Sequence, residues 1–292
     1  MKGPLLRAIS LILLFSLLCS FATAIEWPHS ESRQTGSFAM NEEGRPLAGV
    51  RFTGSDSIRS SDNGEIIFST IDPLLPTRFT HPLGNWTAME HEDGMISLYA
   101  HLAPRYDGER RIGLEKGSIL GRTGNSGWTN DEGFFFAVLD RIAKRWVNPV
   151  LIASLREDST QPIIRQVLLI SRDGNEINPR NVSSLRQGNW RILIDTVDNE
   201  NKGAPLALGP KEITCMVNGI EVQRLQLDYL SVREGELQVP GNPARRARDI
   251  YTKEGLYDLG EINLKRGRTT MQVNVRDTAG NERQVIYTLR IN

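Results

Sequence analysis

The sequence predicts an all-β protein. Beyond an apolar N-terminal segment, no long stretch has the 3.6-residue spacing of apolar residues that marks an amphipathic helix. Short apolar segments instead alternate with Gly, Pro, Asn and Asp, the residues that favour turns between strands. The Asp93-Gly94 pair is the strongest of these turn signals, because it suits a tight hairpin. We therefore expect antiparallel sheets throughout the chain.

The chain is long enough for two domains. It has 292 residues, of which 39% are hydrophobic, so it can bury a sizeable core. A polar segment that ends in proline, "REDSTQP" at 156–162, separates two groups of predicted strands. We place one domain at 25–155 and the other at 160–292.

The first 24 residues are predicted to be a secretory signal peptide. Two basic residues precede an apolar stretch, and Ala22-Thr23-Ala24 has the small-x-small pattern of a cleavage site. A membrane-spanning helix is one alternative, but the apolar run is shorter than the ~20 residues that a bilayer needs. A lipid anchor at Cys19 is another, and the bulky Leu18 before it disfavours this. We expect cleavage after Ala24, export to the periplasm or cell envelope, and no membrane span in the mature chain.

The mature chain is expected to be nearly neutral. The signal peptide contains two of the 35 basic residues and none of the 35 acidic ones, which leaves a formal charge of −2. This balance gives no indication of nucleic-acid binding. One cysteine remains, Cys215, which cannot form an internal disulfide and is expected in the core.

Residues 85–102 are predicted to form a hairpin around the Asp-Gly pair. If that pair is a two-residue turn, Ala88 lies opposite Tyr99. Alternate side chains of a strand point to opposite faces, so Tyr99 and His101 would share one face and His91 would lie on the other. On this register His91 and His101 cannot bind the same metal ion.

Residues 160–292 are predicted to form a sandwich of short antiparallel strands. The strands are separated by turn signals such as Asp173-Gly174 and Asn218-Gly219. The final segment, "VNVRDTAGNERQVIYTLRI", is similar to the last hairpin of bacterial immunoglobulin-like domains, in which the D-x-A-G-N stretch makes the turn. The resemblance implies an immunoglobulin-like β-sandwich.

The first domain resembles a known enzyme family. The segments "GRPLAG", "GEIIF", "HEDGMISLYAHL", "KGSILGRTGNSG" and "FFFAVLD" occur in the order seen in LytM/lysostaphin-type zinc endopeptidases. These enzymes cut peptide crosslinks in bacterial peptidoglycan. The resemblance covers about residues 36–150 and implies a LytM-type antiparallel sheet.

The resemblance also implies that the zinc ligands are missing. The family uses a His-x-x-x-Asp pair, a later His-x-His and the histidine of the "YAHL" segment. Alignment puts Leu47 and Arg51 at the first motif and Gly133 and Phe135 at the second, and only His101 is retained. Leucine and phenylalanine have no lone pairs to donate, and a guanidinium repels a dication. The sequence therefore predicts no metal, no cofactor and no catalytic residue.

A catalytically inactive domain of this type is predicted to bind rather than cut. We expect a non-enzymatic binding, scaffold or regulatory module in peptidoglycan remodelling. Its expected partner is peptidoglycan or an envelope protein such as a cell-wall hydrolase. Two alternatives are a peptidoglycan peptide-binding protein without a regulatory role and an active metallo-endopeptidase.

The former active-site groove is the predicted binding surface. We expect it to be bordered by Arg51, Tyr99 and His101 and floored by Phe135, so that an extended peptide with a carboxylate is held by the arginine and the aromatic ring. The alternative is that Phe135 fills the space that the metal left and the groove is closed.

Overall fold

A computed structural model describes residues 25–29, 33–54, 57–70, 81–104, 112–129, 131–153, 158–198, 208–241 and 243–292. The predicted signal peptide and residues 154–157 of the predicted domain boundary lie outside this part of the chain. No helix in the described part has the length and hydropathy needed to cross a membrane. Nearly all of the regular structure consists of β-strands in antiparallel sheets, so the predicted fold class is confirmed.

The described residues of the first half form twelve strands and a short 3-10 helix, Pro149–Leu151. The strands are β1 (Arg33–Gly36), β2 (Asn41–Glu42), β3 (Arg45–Pro46), β4 (Val50–Thr53), β5 (Ser57–Arg59), β6 (Gly64–Ser69), β7 (Asn85–Glu90), β8 (Met95–Leu102), β9 (Gly113–Leu114), β10 (Ile119–Arg122), β11 (Gly133–Asp140) and β12 (Arg145–Val147).

In the second half, the part that the structure describes forms twelve more strands and 3-10 helices at Pro179–Asn181 and Ala247–Asp249. The strands are β13 (Ile163–Ser171), β14 (Glu176–Ile177), β15 (Ser184–Leu185), β16 (Gly188–Val197), β17 (Glu212–Val217), β18 (Ile220–Gln226), β19 (Tyr229–Arg233), β20 (Glu236–Val239), β21 (Arg245–Arg246), β22 (Tyr257–Leu264), β23 (Gly267–Arg276) and β24 (Glu282–Ile291).

The second half builds two sheets, in the orders β14-β13-β16-β22 and β15-β24-β23-β17-β18. Inward side chains of both sheets belong to one apolar core. Cys215 is fully buried there, as predicted, and burial raises the pKa of its thiol to about 12. In the final hairpin, Asn281 N–H donates to Asp277 Oδ1 at 2.8 Å, which closes the D-x-A-G-N turn. The immunoglobulin-like assignment stays a prediction.

One large sheet joins the two halves of the chain. Its order is β21-β20-β19-β12-β11-β8-β7-β6-β9, and β4 also pairs with β11. Strands β19 to β21 come from the second half, and β19 pairs with β12 through Trp146 opposite Leu230. The boundaries at 25–155 and 160–292 stay a prediction, and residues 229–246 complete the sheet of the first half.

A second connection is formed by buried side chains. The Tyr251 hydroxyl donates to the Ala39 carbonyl at 3.0 Å, and the Asn41 N–H donates to the Tyr257 hydroxyl at 3.1 Å. Both tyrosines are almost fully buried, and burial raises the pKa of both hydroxyls. They therefore stay protonated and keep these hydrogen bonds at all moderate pH values.

The three consecutive phenylalanines lie on β11 and alternate between its faces. Phe134 and Phe136 point into the core, where Phe134 stacks on Phe52 with ring centroids 4.9 Å apart and Phe136 lies 5.3 Å from Tyr99. Each such buried aromatic side chain stabilises the fold by roughly 1.5–3 kcal/mol. Phe135 points to the other face of the sheet, where the candidate site lies.

Candidate functional site

The β7–β8 hairpin has a longer turn than predicted. His91 N–H donates to the Met95 carbonyl at 2.9 Å, so three residues separate the paired positions. Gly94 takes a φ of 80°, and the Asp93 side chain accepts from Met95 N–H at 2.9 Å. This is the turn in which a glycine in the left-handed region follows a type I turn, rather than the two-residue turn in which both residues need positive φ.

The longer turn shifts the strand pairing by one residue. Tyr99 lies opposite Thr87 rather than opposite Ala88. Tyr99 points into the core and is 0% exposed. It does not share a face with His101, because the positive φ of His101 and the irregular pairing between Asn85 and Thr87 interrupt the alternation of side chains along β8. The prediction that Tyr99 borders the groove is therefore wrong.

Tyr99 belongs to a buried polar network. Its hydroxyl accepts from Ser61 N–H at 2.9 Å and lies 3.1 Å from Ser97 Oγ. His91 Nε2 is 2.8 Å from the same Ser97 hydroxyl, and its Nδ1 is 2.7 Å from the Asn63 carbonyl. Burial raises the pKa of Tyr99. The predicted separation of His91 and Tyr99 onto opposite faces is wrong, since both serve one structural network.

Arg51, His101 and Phe135 do lie side by side. Phe135 on β11 is directly opposite Arg51 on β4 and opposite Ala100 on β8. Residues directly opposite in an antiparallel pair project from the same face. The His101 and Phe135 ring centroids are 6.5 Å apart in an edge-to-face arrangement. We call this side of the sheet, defined by Arg51, Ala100 and Phe135, the outer sheet face.

His101 is held in an unusual backbone conformation. Its φ is 63°, which is uncommon for a residue other than glycine. Its N–H donates to the Leu83 carbonyl at 2.9 Å, and its Nδ1 lies 2.9 Å from the Ser126 carbonyl. Burial is the main reason that the pKa of His101 is lowered; the Ser126 contact opposes this effect, and the charge of Arg51 adds to it. The imidazole is therefore neutral at neutral pH, with Nδ1–H donating to Ser126.

Arg51 already has a carboxylate partner. Its Nη2 lies 2.8 Å from Glu42 Oε1 and 3.0 Å from Glu42 Oε2. Leu47 packs beside it, because a Cβ atom added at Gly36 would lie 2.8 Å from Leu47 Cδ2 and 3.2 Å from Arg51 Cβ. The guanidinium therefore lies in an ion pair within the protein, which the sequence pattern did not indicate.

The residues at the aligned zinc positions do not fit a zinc ion. Leu47 and Phe135 offer no lone pairs, and Arg51 brings a positive charge. Gly133 has no room for a ligand, because a Cβ atom there would lie 2.0 Å from the Phe52 carbonyl oxygen. His101 is the one aligned position with a ligand atom, and one ligand does not make a zinc site.

A separate group of acidic side chains lies elsewhere in the described part of the chain. Ligand atoms of Asp158, Asp198 and Asp277 lie within 4.8 Å of one another, and the last two side chains are buried. Burial is the first cause that raises the pKa of Asp277, and the charge of Asp158 adds to it. These residues belong to the second half of the chain and do not contact the outer sheet face.

The outer sheet face also contains an aromatic stack that the sequence analysis missed. Phe68 on β6 lies opposite Ala88 on β7, and its ring stacks on Trp86 with centroids 4.4 Å apart. His81 stacks on Trp86 at 6.0 Å. Phe68 remains 44% exposed. The sequence signal was weak, because Phe68 lies on a different strand from Trp86 and meets it only through the pairing of β6 with β7.

Leu98 and three alanines lie between the aromatic stack and Phe135. Ala88 is opposite Leu98, and Leu98 is opposite Ala137, while Ala100 is opposite Phe135. Leu98 is partly exposed, whereas the three alanines are buried. The outer sheet face thus has aromatic rings at both ends and an apolar strip between them.

Comparison with known proteins adds the following similarities. A protein-family model matches residues 161–292. No curated protein sequence matches the chain.

Several solved structures are similar to part of the chain. The catalytic domain of the antimicrobial peptidase lysostaphin from Staphylococcus simulans is 18% identical, with a TM-score of 0.32 over 37% of this chain and 80% of its own. A mutant catalytic domain of the prophage-encoded M23 protein EnpA from Enterococcus faecalis is 18% identical, with a TM-score of 0.35; the match covers 44% of this chain and 95% of the EnpA chain. A chain of the SpoIIQ-SpoIIIAH pore-forming complex is 15% identical, with a TM-score of 0.36; the match covers 46% of this chain and 92% of the other.

Proposed function

We propose that this protein is a non-enzymatic binding or scaffold module of the bacterial cell envelope, built on a degenerate LytM-type peptidase domain. One observation carries the proposal. The residues aligned with the zinc ligands, Leu47, Arg51, Gly133 and Phe135, lie within one small region of the sheet, and none of them can bind a metal ion. Arg51, in its ion pair with Glu42, lies at an aligned position where the LytM-type enzymes have a zinc ligand.

The proposed binding surface is the outer sheet face. Aromatic side chains on an apolar sheet face are typical of surfaces that bind protein or peptide segments. Phe68 at one end is 44% exposed and Phe135 at the other is partly exposed, so both rings can contact an extended peptide, while Ala88, Ala100 and Ala137 between them are buried. We propose peptidoglycan, or an envelope protein such as a cell-wall hydrolase, as the partner that presents this peptide.

The backbone of His101 supports a retained role for this face. A non-glycine residue at positive φ costs of order 1–3 kcal/mol and persists where the surroundings hold it in place. Here a main-chain bond to Leu83 and a side-chain contact with Ser126 do so. With a lowered pKa, the neutral ring offers Nε2 as a hydrogen-bond acceptor rather than as a cation.

The purified mature protein is expected to contain no stoichiometric zinc and to release no peptides from peptidoglycan sacculi. The physical reason is the loss of ligand atoms at Leu47, Arg51, Gly133 and Phe135. Elemental analysis and chromatography of the soluble products measure both properties. About one tightly held zinc per chain, lost on His101→Ala, would contradict the proposal, since it would mean that ligands outside the aligned positions rebuild the site.

Phe68→Ala and Phe135→Ala are each expected to weaken retention on purified sacculi by about tenfold, because a buried aromatic anchor contributes more than 1 kcal/mol to binding. Sedimentation with sacculi measures the apparent affinity. Ile286→Ala serves as the matched control, since Ile286 is 57% exposed on β24 and lies on another sheet. Tyr99→Phe is a second control, expected to lower stability through its core network and leave retention unchanged. Equal retention of both folded Phe variants and wild type would mean that the outer sheet face is not the binding surface.

A further inference from the structure

The end of the two smaller sheets carries a group of exposed arginines. One pocket, with a volume of about 710 Å³, is lined by Arg172 and Arg186. A second pocket of about 550 Å³ is lined by Arg266, Arg268 and Arg290. Asn292 lines both pockets, so they adjoin. We call these five residues the arginine patch.

Two members of the patch repel each other. Arg268 on β23 and Arg290 on β24 are directly opposite in the antiparallel pair, and both are exposed. Like charges directly opposite across two strands destabilise a sheet. A local feature that opposes stability without a structural benefit is typical of a site with a function.

No carboxylate of the described residues forms an ion pair with any of the five arginines. Arginines elsewhere on the same two sheets differ in this respect. Arg224 contacts Glu212 and Glu221, and Arg276 contacts Glu282. The two pockets contain one acidic lining residue, Asp173. The chain is formally neutral as a whole, so the patch is a local concentration of positive charge.

We propose that the arginine patch binds an extended polymer that carries phosphate groups. A guanidinium presents a planar fork of N–H donors that matches phosphate oxygens, and one phosphate has enough acceptors for several arginines. A phosphate between Arg268 and Arg290 would replace their repulsion with two attractive contacts. Arg172 and Arg186 line the adjoining pocket, so successive phosphate groups of one polymer molecule have a site in each pocket.

The lining residues favour such a polymer over a bilayer or a nucleic acid. Four of the five large apolar side chains of the two pockets, Leu185, Trp190, Leu289 and Ile291, are buried, and the fifth, Ile177, is partly buried. Binding at a bilayer interface requires exposed apolar side chains that insert between lipids. Binding of single-stranded nucleic acid usually requires exposed aromatic rings on which bases stack. The patch offers charge and hydrogen bonds without either feature.

This inference is independent of the proposed function. The arginine patch lies on β23, β24 and the neighbouring turns, whereas the outer sheet face lies on β4, β6, β7, β8 and β11. Variants of one surface leave the other intact. Either proposal can therefore fail while the other holds.

The experiment uses the whole mature chain and long-chain sodium polyphosphate as the probe. Titration calorimetry at low salt is expected to show binding that weakens steadily as KCl is raised, because the contacts are ionic. Arg268→Ala combined with Arg290→Ala is expected to weaken binding by about tenfold or more, since each removes charge-assisted hydrogen bonds. Arg283→Ala is the matched control, because Arg283 is also exposed on β24 and lines neither pocket. It is expected to bind like wild type.

Two further measurements sharpen the test. Without polyphosphate, the double variant is expected to melt no lower than wild type, because it removes a repulsion; the lost binding then cannot come from unfolding. Inorganic phosphate alone is expected to bind at least about tenfold more weakly than the same concentration of polymer phosphate.

Four outcomes would overturn the proposal. The first is the absence of polyphosphate binding at low salt, and the second is a loss of binding in Arg283→Ala equal to that in the double variant. The third is equal binding of inorganic and polymeric phosphate. The fourth is tighter binding, lost in the same double variant, to single-stranded DNA or to vesicles of equal parts phosphatidylglycerol and phosphatidylcholine. That result would assign the patch to a different class of partner.

Discussion

Gly133→Ala is expected to destabilise the protein by about 3 kcal/mol or more, because the added methyl group has no space. A Cβ atom at this position would lie 2.0 Å from the Phe52 carbonyl oxygen and 3.1 Å from Thr53 Cα. Both contacts are with the backbone of β4, so relief requires the β4–β11 pair to separate. Urea unfolding followed by circular dichroism measures the loss.

The matched control is Gly113→Ala. No heavy atom lies within 4 Å of a Cβ atom built at Gly113, and this glycine is also in a strand. We expect its effect to stay within about 0.5 kcal/mol. Equal stabilities of the two variants would show that β4 and β11 are not as closely paired as the register between Gly133 and Thr53 requires.

The close approach at Gly133 also predicts the zinc content of a variant that carries ligand residues at the aligned positions. Leu47→His, Arg51→Asp, Gly133→His and Phe135→His together supply these residue types, yet a histidine at position 133 has no space beside the Phe52 carbonyl oxygen. We therefore expect elemental analysis of this variant to find no stoichiometric zinc.

Tyr251→Ala is expected to cost about 3–5 kcal/mol, the usual range for removing a large buried aromatic side chain. Tyr251 is 3% exposed, packs edge-to-face on Tyr257 with centroids 5.5 Å apart, and donates to the Ala39 carbonyl. Because this residue connects the two halves, we expect amide exchange to accelerate in β8 and in β23 to a similar degree. Hydrogen exchange monitored by mass spectrometry reports both strands in one experiment.

Tyr251→Phe separates the hydrogen bond from the packing. It leaves the ring in place and the Ala39 carbonyl without its donor, so we expect a loss of about 1–3 kcal/mol. Faster exchange confined to β23, with β8 unchanged, would show that the halves unfold independently and that the contact does not couple them.

The β7–β8 hairpin shows which part of the fold can be predicted from the sequence. Two strands around Asp93-Gly94 were predicted, and both are present. The register between these strands was not predicted correctly, because the same Asp-Gly pair occurs both in two-residue turns and in three-residue turns that end in glycine. The Asp93 side chain accepts from Met95 N–H, which supports the three-residue form. That one-residue difference decided that His91 shares a face with Tyr99.

The candidate site was only partly predictable. The alignment of motifs indicated that Arg51 and Phe135 belong to one groove, and the structure places them directly opposite each other. Neither the Arg51–Glu42 ion pair nor the Phe68–Trp86 stack follows from a strand pattern. Periodicity predicts which residues share a face of one strand, and it carries no information about which strands become neighbours.

The pairing of β12 with β19 has a consequence for the order of folding events. Arg145 and Ser231 are opposite each other in this pair and 86 residues apart in the chain. Contacts of such large sequence separation form late, because a long loop must close first. Until then β12 is an edge strand whose free main-chain groups can pair with any exposed strand. Intermolecular association during refolding is therefore most favoured at this edge, and dilution should increase the yield of native protein.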